Sequence, residues 1–80
     1  MDVQVARHVI RACFRSGGEL QRLLDLLKEQ CSADEYQTFA KAIATAIGSI
    51  HVEIINRLTD IHPELEGEME AMISKYDRYL

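Results

Sequence analysis

Few residues in this chain are able to do chemistry, and their spacing limits what they can do. The three histidines, His8, His51 and His62, are scattered, and only His62 has a carboxylate at helical spacing, Glu66. A metal centre built on helices needs several such pairs, yet Glu-x-x-His, His-x-x-x-His and Cys-x-x-Cys are all missing from the sequence. The histidines therefore read as structural, with His62 capping the last helix or the end of the one before it. Cys13 and Cys31 would lie about 27 Å apart on one helix, too far for a disulfide. With no base near either one they read as small core residues. Glu64, Glu66, Glu68 and Glu70 alternate along a helix, point in different directions and cannot converge on one ion. No nucleophile, base and oxyanion donor can be assembled, so neither an enzyme nor a metal or cofactor is expected.

One charged track stands out. Arg7, Arg11 and Arg15 follow one another at four-residue spacing along one side of a helix, beside Gln4 and His8, and Arg22 extends them. Such a track can contact an anionic ligand, a nucleic acid or an acidic protein partner. It can equally be a solvated face paired with acidic residues of the same molecule. If the helix broke at Gly17-Gly18, exposed amides at the start of the next helix would add to an anion site.

The elements carrying these residues are helical throughout. Val3, Ile10, Gly17, Leu24 and Cys31 recur every seven residues, and Ala6, Cys13, Leu20 and Leu27 fill the second row. The phase runs straight through Ser16-Gly17-Gly18, which favours one helix over about 3–30. Two glycines in a helix interior cost roughly 2 kcal/mol relative to alanines, and Ser16 to Glu19 fits a capping box that would open a new helix. Both readings stand at this point. If the helix is continuous, the glycines allow another helix to approach closely.

Ser32-Ala33-Asp34-Glu35 is a second capping box and starts a helix over about 33–61. Ala40, Ile47, Ile54 and Ile61 form its first apolar row, with Tyr36, Ile43 and Ile50 interleaved. The turn between the two helices is short, so they are antiparallel neighbours, and Gly17 falls level with Ala46 to Gly48. Pro63 ends the second helix and opens a third over about 63–78. Leu65, Met69, Met72, Ile73, Tyr76 and Leu80 give that third helix its apolar face. Its glutamates lie at the positive end and Lys75 and Arg78 at the negative end.

Composition narrows the class. The 80 residues are 48% hydrophobic, enough apolar surface for a single domain and more than a small monomer hides. Net charge is −4, split as +2 over residues 1–18 and −6 over the rest, an acidic body that disfavours nucleic acid. There is no signal-peptide pattern, and Lys41, Glu53 and Arg57 are expected to interrupt any membrane span. Two cysteines without a secretion signal fit a reducing, cytoplasmic setting.

The resulting expectation is an all-α single domain, 1–80: a long antiparallel hairpin with a shorter C-terminal helix, dimerising as a bundle. The residues expected in its core or dimer contact are Leu20, Leu24, Leu27, Ile43, Ile47, Ile50 and Ile54. The expected function is a non-catalytic homodimeric interaction or adaptor module. The alternative is a small regulator binding an anionic ligand or nucleic acid through the arginine track.

Overall fold

The structure, a computed structural model, describes residues 1–76, with side chains described through Lys75. Arg78, Leu80 and the Tyr76 side chain, expected on the third helix, lie outside the described residues. The described chain is all helical, with no strand among the described residues. A first helix, Val3–Gln30, runs unbroken through Gly17 and Gly18. The heptad phase, and not the capping-box pattern at Ser16, therefore reports the local structure. Asp2 caps this helix, its carboxylate accepting from the Gln4 amide at 2.7 Å. That cap was legible as an acidic residue just ahead of the first apolar position.

The central helix, Ala33–Ile61, starts with the expected capping box. The Ser32 hydroxyl accepts from the Glu35 amide at 3.2 Å, and the Ser32 amide donates to the Glu35 carboxylate at 3.0 Å. The helix packs antiparallel to the first. A methyl group placed on Gly17 would lie 4.0 Å from Ile47 Cγ2, so the two helices meet at the expected level. The last helix, Glu64–Tyr76, begins just after Pro63 and packs across the open end of the hairpin.

The central helix departs from the sequence expectation at one place. His51–Ile55 is a π turn, closed by the Asn56 amide donating to the His51 carbonyl five residues back. A π turn accommodates one extra residue, which rotates everything after it. The apolar row Tyr36, Ala40, Ile43, Ile47 and Ile50 therefore continues through Ile55 and Leu58, not through Ile54 and Ile61. Ile55 is 3% exposed and Leu58 5%, whereas Ile54 is 39% exposed and Ile61 56%. Ile54, expected in the core row, stands outside it.

The core occupies one end of the molecule. Ala6, Ile10 and Cys13 of the first helix, Ile55 and Leu58 beyond the π turn, and Leu65 and Met69 of the last helix form a single buried cluster. Between residues 14 and 54 nothing is buried. The expected core residues Leu20, Leu24, Leu27, Ile43, Ile47 and Ile50 are all only half-buried. The molecule thus has a filled three-helix end and a two-helix arm that lacks a closed interior.

Candidate functional site

The arm exposes what a closed bundle would hide. Leu26 is 54% exposed and Phe39 50%, and Leu23 is also exposed. Val5 lies on the same side of the first helix as Leu23, eighteen residues or five full turns away. With Ile54 and Ile61 on the central helix, these residues make an apolar surface that borders none of the grooves described below.

The dimensions agree with an unfilled shape. The chain extends 45 × 25 × 15 Å, and its radius of gyration is 14.7 Å, against about 12 Å for a compact domain of this length. It exposes 5790 Å², some 900 Å² more than the roughly 4,900 Å² of a compact 9.1 kDa monomer.

The arginine track does not act as one unit. Arg7 Nε and Nη2 donate to the two carboxylate oxygens of Glu68 at 2.6 and 3.0 Å, and Nη1 donates to Gln4 Oε1 at 2.7 Å. This fork-to-fork pair is largely shielded and ties the last helix to the first. Arg11 is half-buried, while Arg15 and Arg22 are exposed. Because the helix is continuous at Gly17-Gly18, it presents no row of unpaired amides there. The anion site that depended on a break is not built.

A groove of about 620 Å³ opens beside Ile73 of the last helix. Phe14, Gly17, Gly18, Ile47 and Ile50 line it, with Arg15 and Arg22 at its edge and His51 at the π turn. The His51 ring meets Phe14 edge-on, with centroids 6.5 Å apart and planes at 79°. A shallower groove of about 360 Å³ continues it along the arm past Gly18, Gln21 and Arg22 to Tyr36.

The remaining candidate residues are dispersed. His62 Nε2 lies 2.8 Å from the Met1 carbonyl and Nδ1 3.4 Å from Glu64, so it fastens the N-terminus to the junction of the last two helices. Sequence reasoning placed His62 at a helix end but had no signal for Met1. His8 is exposed. Both cysteines are thiols, and burial pushes the Cys13 thiol up. Among the described residues no three metal-ligating side chains come together.

The central helix corrects one expectation. By length and composition alone it is apolar enough to cross a membrane. The charges expected to interrupt it are too widely spaced, since Tyr36 to Val52 includes only Lys41. Comparison with protein-family models, curated proteins and solved structures gives no match for the chain.

Proposed function

We propose that this protein is a non-catalytic, cytoplasmic helical interaction module that acts as a homodimer, two arms pairing into a four-helix bundle. One observation carries the reading: all buried residues among those described lie at the three-helix end, and none lies between 14 and 54. An arm of half-buried leucines and isoleucines without an interior is what one half of a bundle looks like before its partner arrives. The excess exposed area matches the roughly 800 Å² that each partner contributes to an interface of standard size. A second copy supplies a surface of the same kind, and two-fold pairing is the commonest closure.

A bilayer could also cover an apolar helix. The first helix, packed along the central one, carries Glu19, Arg22, Asp25, Lys28 and Glu29 through the arm, and charges at membrane depth are costly. A protein partner suits that mixed surface better. The reading as a regulator of anions or nucleic acid has lost support, since Arg7 is committed to Glu68 and no helix starts at Gly18.

The test is a double variant, Leu23→Glu with Phe39→Glu, both exposed in the single chain and buried in the proposed interface. It is expected to fall to monomer mass while keeping a helical circular-dichroism spectrum. A dimer of unchanged stability would contradict the proposal.

A further inference from the structure

The last helix shows how this scaffold holds an acidic amphipathic helix. Leu65 and Met69 sink into the cluster around Ala6 and Ile10, while Glu68 is gripped by Arg7 of the neighbouring helix. Its 13 described residues, about 20 Å, run alongside only part of the 28-residue first helix. The groove beside Ile73 repeats the same chemistry. Its apolar lining is Phe14, Ile47 and Ile50, with Ile73 at the boundary, and among the described residues its edge carries two guanidinium groups, Arg15 and Arg22, against one carboxylate, Glu19. Arg15 and Arg22 follow Arg7 by eight and fifteen residues, about 80° and 60° past whole turns, and so lie next to its side of the helix. Among the described residues neither forms an ion pair.

The two glycines fit this picture. Packing among the described residues does not require them: a methyl on Gly17 would make only ordinary contact with Ile47, and no described atom lies within 4 Å of one on Gly18. In mid-helix each costs about 1 kcal/mol relative to alanine. Their effect is to leave bare backbone along the groove, where an incoming helix can approach closely.

We propose that this groove, between the first and central helices beside Ile73, docks an acidic amphipathic helix of a partner protein. Its apolar ridge lies over Phe14, Ile47 and Ile50, and its glutamates pair with Arg15 and Arg22. Leu23 and Phe39, the residues changed in the test of self-association, are absent from this groove, so that test and the one below read separately.

The probe is a labelled peptide with the sequence of residues 63–76, the acidic amphipathic helix this scaffold already accommodates, titrated with the intact protein by fluorescence anisotropy. Saturable binding that weakens with added salt is expected. Arg15→Glu with Arg22→Glu is expected to weaken it about tenfold, the sum of two exposed charge pairs. Gly18→Leu places a side chain in the groove while improving helix propensity, so binding is expected to be lost with the denaturant midpoint retained. Arg7→Gln is expected to leave binding unchanged. Three results would each overturn the proposal: no binding, binding indifferent to the Arg15, Arg22 and Gly18 changes, or loss in Arg7→Gln alone. The last would mean that the peptide displaces the chain's own terminal helix.

Discussion

At one end of this molecule Ile10 and Leu65 are wholly sealed; along the arm, Leu24, Ile43 and Ile47 of similar chemistry stay half-open to solvent. The two regions share the same two helices and the same heptad pattern. They differ in the number of neighbours. Three helices enclose a space between them, whereas two touch along a line and leave the flanks of their apolar stripes uncovered. An apolar row therefore specifies which side of a helix seeks cover, and the count of available helices decides whether it finds any within the chain.

The sharpest way to break this comparison is to place a charge in each region. Ile10→Asp buries an unpaired carboxylate in the closed core, and loss of more than about 4 kcal/mol is expected, seen as failure of cooperative unfolding in urea. Ile43→Asp, in the arm and outside both grooves, is expected to separate the proposed dimer while the three-helix end persists, with hydrogen exchange still slow at Ile10 and Ile55. Equal global unfolding by both changes would erase the distinction between the regions.

Smaller effects sharpen it. Glu68→Gln removes the charge that Arg7 holds and is expected to cost about 1–2 kcal/mol at the three-helix end, measured by denaturant midpoint. Ser32→Ala at the arm tip is expected to cost about 1 kcal/mol through loss of the cap. The Ser32 amide donating to Glu35, together with the Ser32 side chain, holds the Glu35 carboxyl below the usual glutamate range. Its folded pKa is below its unfolded one, so its contribution is complete above that range and fades as pH falls through the folded value. Stability curves of the native chain and Glu35→Gln should therefore converge at acid pH.

Gly17→Ala should stabilise the chain by about 0.5–1 kcal/mol in thermal unfolding, because the added methyl meets Ile47 at ordinary contact distance. The two thiols report on the regions with almost no perturbation. Cys31, half-buried at the arm tip, should react with a thiol reagent in the native state. Cys13 should react only as the core opens, because burial both shields it and disfavours its thiolate.

Much of this architecture was legible in the sequence. The capping box at Ser32, the stop at Pro63 and the uninterrupted heptads over Gly17-Gly18 are local signals, and each corresponds to a local feature of the structure. The π turn was not legible. Ile47, Ile54 and Ile61 keep a perfect seven-residue spacing, and only the position of the last helix rewards turning Ile55 and Leu58 inward instead. The arginine track was visible as a pattern, but its division between Arg7, bound to Glu68, and the exposed Arg15 and Arg22 depends on where a helix sixty residues away comes to rest. Long-range pairing of this kind leaves no trace in spacing.

The most direct measurement is the solution mass, by light scattering on a sizing column over a hundredfold range of concentration, without detergent. A constant mass of twice 9.1 kDa is expected, with the open arms consumed by each other. A monomer at every concentration would contradict the proposal that a second copy completes the arm, and a chain that leaves the aggregated state only in detergent would favour the bilayer over a protein partner.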